Sequence, residues 1–233
     1  LEANESLGGA TTSIRAFPDF DARLSRYSYL VSLLPDKIVQ DLGLKFKTLQ
    51  REVMSYTPLS ENGDATGLMI ARTWNEETIA SFESLSDGKD DMAAWQTFYD
   101  EIALFAQKIA PTFLEPLPTR QELKKHINLD PIWQYLMEEP IGKVISERFK
   151  NDFIKGVILT DALIGTFVSA FSMQANICFL YHLIGNGTGE WKVPEGGMGA
   201  LVTELHRVAL EAGVEIRCQA PVKKVESDND KVT

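Results

Sequence analysis

The sequence predicts a mixed α/β (α+β) fold: both ends carry glycine turns and strands, and the middle is mainly helical with a small sheet. Three observations carry this reading. The chain opens on Leu1-Glu2-Ala3-Asn4-Glu5-Ser6-Leu7-Gly8-Gly9, an acid ending an apolar stub, then a polar loop and a glycine pair. Between positions 87 and 108 an apolar stripe of Trp95, Phe98, Ile102 and Phe105, continued by Ile109, recurs at intervals of three and four, as on one face of a helix. Past Trp191 come a glycine-rich turn, a helix closed by Gly213, and two strand-like runs over 214–218 and 221–226.

Taken in order, residues 1–43 read as loops and short helical pieces, with a turn-rich patch at Pro18, Asp19 and Asp21. The apolar run from Leu30 to Leu34 stops at Pro35, and a short helix follows over 36–42, with Gly43 just beyond its end. Over 44–57 the residues Leu44, Phe46, Leu49, Val53 and Tyr56 alternate loosely with Lys45, Lys47, Gln50 and Glu52, which suggests strands. Ser60-Glu61-Asn62-Gly63-Asp64 is a turn signal, and 67–72 a further strand. Helices follow: one capped by Asn75 with Glu76 and Glu77 in its acidic first turn, the striped helix, one opened by Thr119 with Glu122 three residues later, and one after Pro140. The last helix presents Leu201, Leu205, Val208, Ala209 and Ala212 on one face, and Ser227 to Asp230 reads as a turn before a strand at 231–233. A first domain over 1–43 and 195–233, holding an inserted domain over 44–194, accounts for this order.

The 233 residues are 44% hydrophobic, ample for a core. Lys and Arg total 23 against 33 Asp and Glu, a formal charge of -10, and an acidic surface argues against nucleic acid as a partner. The basic cluster Lys124-Lys125-His126 reads as a solvated helix face. Cys178 and Cys218 make no CxxC, and no two histidines share ligand spacing, so no metal site is expected. Both cysteines read as reduced core thiols, and the expected location is cytoplasmic. Residues 162–184 contain no Asp, Glu, Lys or Arg and are long enough to span a bilayer. Thr166, Ser169, Ser172, Gln174, Asn176, His182 and the break at Gly165 favour instead a buried helix-loop-helix lining a pocket. Contact with a membrane surface stays open but is not indicated.

The start of the chain points to chemistry. In a dinucleotide-binding unit, an acidic residue about 20 residues beyond a Gly-rich phosphate turn accepts hydrogen bonds from ribose hydroxyls. Glu2 matches that acid, and the turn that should precede it is not in the sequence. The expectation is a fragment of a nucleotide-cofactor enzyme. The bland alternatives are an exposed terminal acid at Glu2 and an ordinary loop at Gly8-Gly9.

Glu2 to Thr12, together with residues 191–225, resembles the flavin-dependent phytoene-dehydrogenase and amine-oxidase superfamily. Ser25-Arg26-Tyr27-Ser28-Tyr29-Leu30, Thr160-Asp161-Ala162-Leu163-Ile164-Gly165 and Glu195-Gly196-Gly197-Met198-Gly199-Ala200-Leu201 are similar to its phytoene-dehydrogenase-related branch. The resemblance implies FAD as cofactor, a partial FAD-binding Rossmann-like domain, and an inserted, mainly helical substrate domain carrying a small sheet. It implies that Glu2 binds the adenosine ribose. Gly8 and Gly9, followed by Ala10 and Thr11, would approach the diphosphate, because a side chain on either glycine would collide with it. Backbone groups of Val222 would meet the adenine, and Gly196-Gly197, leading to Met198, would cross beside the flavin; a plain helix-leading loop is the alternative there. Many relatives carry arginine directly after the glycine pair, where this chain has Ala10, so that cation is missing. A C-terminal flavin-covering segment is also not in the sequence, and the chain by itself is expected to hold FAD poorly and to be inactive.

The implied activity is hydride transfer from an apolar or amine-bearing small molecule to flavin. Desaturation of a carotenoid-like polyene and amine oxidation both fall within that class. The rival reading is a non-catalytic binding or interaction protein on the same scaffold, and a stand-alone helical module is the third. Catalytic residues are not legible: no acid-base pair and no Ser-His-Asp arrangement stands out. Asp161 is the one acid inside an apolar segment, and a structural hydrogen-bonding role is favoured over catalysis because an unpaired buried carboxylate is costly. His182 reads as a satisfied core histidine, and His126 and His206 as helix-surface residues. Tyr27 and Tyr29 are candidates for lining a substrate channel, with packing the equal alternative.

Overall fold

The computed structural model describes residues 1–28, 30–61, 64–185, 187, 189–228 and 231–232. In chain order its elements are β1 (Ser13–Ile14), β2 (Leu24–Ser25), α1 (Asp36–Asp41), β3 (Thr48–Gln50), β4 (Val53–Glu61), β5 (Asp64–Ala71), α2 (Glu76–Glu83), α3 (Gly88–Ile109), α4 (Arg120–Ile127), α5 (Asp130–Trp133), α6 (Ile141–Arg148), α7 (Asp152–Leu163), α8 (Met173–Ile184), β6 (Lys192–Pro194), α9 (Gly199–Glu211), β7 (Ser227–Asp228) and β8 (Lys231–Val232). The chain folds as two compact units, a terminal unit of Leu1–Leu49 with Lys192–Thr233 and a middle unit of Gln50–Trp191. These boundaries lie a few residues from those drawn at 43/44 and 194/195 on the sequence.

In the middle unit, local signals translate directly into structure. Asn75 caps α2 by accepting from the Thr78 N–H at 2.9 Å. Thr119 and Glu122 form a reciprocal capping box at the start of α4. The α3 stripe is buried along its length, with Phe98 and Phe105 fully enclosed. Long-range polar contacts then lock the helices together. Asp91 accepts from the Lys150 and Asn151 N–H groups, each at 2.8 Å, and Asn151 in turn caps α7 through Phe153 and Ile154. Buried Asn176 on α8 accepts from Ile141 N–H at 2.9 Å and donates to the carbonyls of Leu136 and Glu139 at 2.9 and 2.8 Å. A π-helical turn over Gln134–Glu138 supplies the first of those carbonyls. β4 and β5 form an antiparallel hairpin with Glu61 opposite Asp64; the Asn62-Gly63 centre of the predicted turn lies outside the described residues.

In the terminal unit, β1 pairs antiparallel with β2, and β7 with β8; β3 pairs with β6. Val31, Leu44, Met198 and Leu201 form a small core backed by Leu34 and Val208. Glu204 and Arg207 on α9 fasten the loop that follows α1: Glu204 accepts from Lys45 N–H at 2.7 Å and Arg207 donates to Gly43 O at 2.9 Å.

Several expectations fail for physical reasons. All sheets among the described residues are two-stranded. The predicted strands over 214–218 and 221–226 are irregular. Strand-like composition needs a neighbouring ladder and a buried face, whereas Val214, Val222 and Val225 are exposed and the Leu1-to-Asn4 stretch is the neighbour that bonds this segment. Leu44 to Lys47 is likewise not strand. Leu205 sits on the exposed side of α9 although the periodicity placed it inward. Cys178 is half-buried and Cys218 exposed, both free thiols, so Cys218 is no core residue. Residues 162–184 do form helix, loop and helix, but only one face is buried: Ala175, Asn176, Phe179 and Leu183 point inward, while Phe167, Phe171, Ile177 and Tyr181 are exposed. Among the described residues, no helix is long and apolar enough to cross a membrane.

Replacing Asn176 with alanine strands one buried N–H and two carbonyls, and is expected to destabilise the chain by about 3 kcal/mol. Urea unfolding followed by circular dichroism checks this; a loss below about 1 kcal/mol contradicts the locking role assigned to Asn176.

Candidate functional site

The terminal unit gathers four segments that the sequence holds far apart. Leu1 to Asn4 runs beside the segment after α9: Glu2 N–H donates to Arg217 O at 2.9 Å, Ala220 N–H to Glu2 O at 2.8 Å, and Gln219 N–H to Asn4 O at 2.8 Å. Glu2 therefore lies two residues along the partner segment from Val222, whose side chain is exposed. The Glu2 carboxylate accepts from both the backbone N–H and the side-chain amide of Asn4, at 2.7 and 2.8 Å. The Asn4 backbone N–H, foremost, holds this carboxyl below its ordinary range.

The chain next turns through Gly8 and Gly9, both left-handed at φ 115° and 52°, and Thr11 N–H closes the turn on Gly8 O at 2.7 Å. The two glycines differ in what demands them. A Cβ on Gly8 would come within 3.0 Å of Val202 on α9, so this glycine seats the turn against the helix. A Cβ on Gly9 would meet nothing within 4 Å, so there the conformation alone favours glycine. Ala10 is exposed and its carbonyl accepts from Ser28 N–H. Leu7, Val202, His206 and Ile216 line a cavity of about 340 Å³ beside the turn. His206 is thus half-buried rather than a surface residue.

Residues 196–199 are clasped by two serines. Ser13 Oγ donates to Gly196 O at 2.8 Å and accepts from Gly199 N–H at 2.8 Å, while Ser25 Oγ accepts from Met198 N–H at 2.9 Å. Gly197 has φ 77°, and a Cβ there would lie 2.5 Å from Ser13 Oγ and 2.9 Å from the Ser25 backbone nitrogen. The clasp buries Met198 and presents α9 directly behind the Gly8 turn. Tyr27, stacked under Arg26 at 5.1 Å, is exposed, and Tyr29 lies outside the described residues. Of the proposed residues, the structure thus brings together Glu2 with the Val222 segment, and Gly8 with α9; among the described residues no backbone hydrogen bond joins Ala10 or Thr11 to Val222. Ser13 went unnoticed in the sequence, and Ser25 was read only as part of the 25–30 motif; nothing in the sequence gives either serine its clasping role.

The middle unit holds a separate cavity of about 370 Å³. Trp74, Trp95, Tyr99 and Trp191 supply aromatic walls, and Arg72 and Asp161 line it as charged groups. Asp161 lacks the structural hydrogen bonds expected for it: among the described residues its carboxylate has no hydrogen-bond or ion-pair partner within reach. Burial pushes its carboxyl up to about 6, and the positive charge of His182 opposes the rise. Burial, and secondarily the Asp161 charge, likewise raises Tyr99 and Cys178. His182 is satisfied as expected: Nδ1 donates to Cys178 O at 2.9 Å, which fixes the proton on that nitrogen. Trp95 is both core residue and cavity wall, where the stripe suggested core alone. Among the described residues, no group of His, Cys, Asp and Glu is placed to hold a metal ion.

The model of the family described as flavin containing amine oxidoreductase matches residues 36–233. The chain belongs to this family. Membership implies a flavin cofactor. Uncharacterized proteins of Mycobacterium tuberculosis and Mycobacterium bovis are each 41% identical over 98% of this chain and 44% of their own length. The pyridine nucleotide-disulfide oxidoreductase domain-containing protein 2 of Mus musculus is 28% identical over 99% of this chain and 44% of its own length. The chain thus spans less than half the length of these curated relatives.

Two outcomes test this geometry. Gly197→Ala must adopt a left-handed conformation and push Ser13 aside, so it should cost more than about 2 kcal/mol, against about 1 kcal/mol for Gly9→Ala, which meets only the conformational penalty. Denaturant unfolding of both variants checks the difference, and equal losses contradict the clasp. Asp161 binds its proton more tightly folded than unfolded, so its contribution to stability is greatest below about pH 4 and is lost as pH rises through about 6. Asp161→Asn should therefore raise stability at pH 7.5 by about 2–3 kcal/mol relative to its effect at pH 3.5. Thermal melts across that range check it; a pH-independent difference contradicts the raised carboxyl of half-buried Asp161.

Proposed function

We propose that this chain is the nucleotide-contacting and substrate-contacting portion of an FAD-dependent oxidoreductase of the phytoene-dehydrogenase-related kind, which moves hydride from an apolar or amine-bearing substrate to the flavin. The observation that carries the reading is the pairing of Glu2 with Arg217 and Ala220 on the same unit as the Gly8-Gly9 turn. An acid for the ribose, a turn without side chains for the diphosphate, and the free backbone near Val222 for the adenine are the parts a dinucleotide site requires. The donor set fits: Glu2 offers an acceptor, Gly9 offers a bare backbone with open space on its Cβ side, and Thr11 adds a hydroxyl.

A bound flavin supplies the hydride acceptor, and the protein supplies position and dryness. In this reading Ser13 and Ser25 hold the 196–199 loop rigid, Gly8 docks the turn on α9, and the aromatic cavity of the middle unit takes the substrate. Ala10 supports the rival, a non-catalytic binding protein on the same scaffold, because no cation follows the glycine pair to meet a phosphate.

The whole protein, purified and scanned in the visible range, should be yellow and should bleach anaerobically with a hydride donor. A colourless protein that refuses added FAD sinks the proposal in favour of the rival. Glu2→Ala should weaken FAD retention by about tenfold or more, measured by equilibrium dialysis, since a charge-assisted hydrogen bond to the ribose is worth about 1.5–3 kcal/mol. Unchanged retention removes Glu2 from the site.

A further inference from the structure

The middle unit carries an apolar surface that nothing covers among the described residues. Residues 162–184 contain no Asp, Glu, Lys or Arg, yet only one side of this helix-loop-helix is buried. The other side holds Ile164 just past α7, Phe167 and Phe171 in the loop, and Met173, Ile177 and Tyr181 along α8. The three α8 residues are spaced four apart, so they form one stripe about 12 Å long. Phe167 is fully exposed, and Phe171, Ile177 and Tyr181 are 62%, 72% and 61% exposed.

Hydrogen bonds hold this surface in place. Gly142 N–H donates to Ala170 O at 2.8 Å, and a Cβ on Gly142 would collide with the Ala170 backbone, so the loop is seated against the start of α6. Ser172 N–H donates to Ser169 O at 2.9 Å, and Cys178 S–H reaches Ile164 O at 3.0 Å, which ties the end of α7 to α8. Asn176 anchors the opposite side of α8 through its three hydrogen bonds. Side chains held on such a frame lose little conformational freedom when a partner docks.

Size and charge select the partner. The six side chains expose roughly 750 Å², against about 800 Å² that each partner contributes to a standard interface. Two copies of a chain of formal charge -10 repel each other, and the charge-free 162–184 face lets them meet with their charges held apart. An anionic bilayer suffers the same repulsion, and helices that lie on membranes carry Lys or Arg beside the apolar stripe, which α8 lacks. We propose that this face is a homodimer interface, in which α8 packs on α8 of a second copy about a two-fold axis at Ile177. Met173 then lies opposite the second copy's Tyr181, a sulfur–aromatic contact.

Sedimentation equilibrium of the whole protein at micromolar concentration tests this, and should give twice the mass of one polypeptide. Ile177→Lys should weaken self-association about a hundredfold or more, because the two-fold axis sets each new charge against its own copy. Ile177→Glu should do the same, and mixing the two variants should restore a dimer, which misfolded variants could not do. Ile177 is exposed, so the melting of each variant should match that of the unmodified protein. An unmodified protein that stays monomeric overturns the proposal. Flotation of that monomer with phosphatidylcholine vesicles would reassign the face to lipid, and hydroxyl-radical footprints that shield Met173 and Tyr181 in it would reassign the face to the rest of the polypeptide. A dimer that survives both substitutions, or variants that fail to associate when mixed, also overturns it. None of these readouts involves flavin, so their failure leaves the oxidoreductase reading standing.

Discussion

The terminal unit depends on backbone hydrogen bonds between Leu1 to Asn4 and Arg217 to Ala220. Each group in these bonds would otherwise have to find water, and among the described residues the segment after α9 joins no other ladder before β7. By fixing Glu2, the pairing fixes where the following loop starts. Gly8 then fixes where it turns, because only a residue without a side chain fits against Val202 in the left-handed conformation. Past the turn, Ser13 reaches the 196–199 loop and returns the chain to α9. An acid, a glycine turn and a helix end are thereby held on one unit although the middle unit separates them in sequence. Closing so long a loop costs only slowly more entropy with length, which is why a large insertion is compatible with this arrangement.

The middle unit answers a different constraint. Its helices bury a continuous aromatic core, and the polar groups within it are matched one by one: Asp91 to two backbone N–H groups, Asn176 to one N–H and two carbonyls, Glu101 to Tyr135 and Arg148. Asp161 breaks that pattern. Its carboxylate is half-buried, lines the aromatic cavity and has no hydrogen-bond partner among the described residues.

What the sequence made legible follows from range. The caps at Asn75 and Thr119, the α3 stripe, the short helix between Pro35 and Gly43 and the left-handed end at Gly213 are all set by residues within a turn or two of each other. Glu2 and Gly8-Gly9 were legible through resemblance, and the structure explains Gly8 by a contact with Val202 that no local pattern contains. The strands expected over 214–226 failed because apolar alternation cannot say whether a neighbouring strand exists. The roles of Ser13, Ser25, Arg72 and Trp191 were not legible for the same reason: they arise from partners more than a dozen residues away or from walls assembled by several separate elements. Leu205 shows the converse, a residue with the right period on a helix whose neighbours bury only a narrow strip.

The central claim is that Glu2, the Gly8-Gly9 turn and the segment reaching Val222 form one nucleotide surface. Hydrogen exchange on the whole protein, compared with and without FAD, tests it most directly. Joint slowing of exchange across residues 2–11 and 217–222 on adding FAD is the result expected. Slowing confined to one of these segments, or to neither, would show that they do not serve a common ligand.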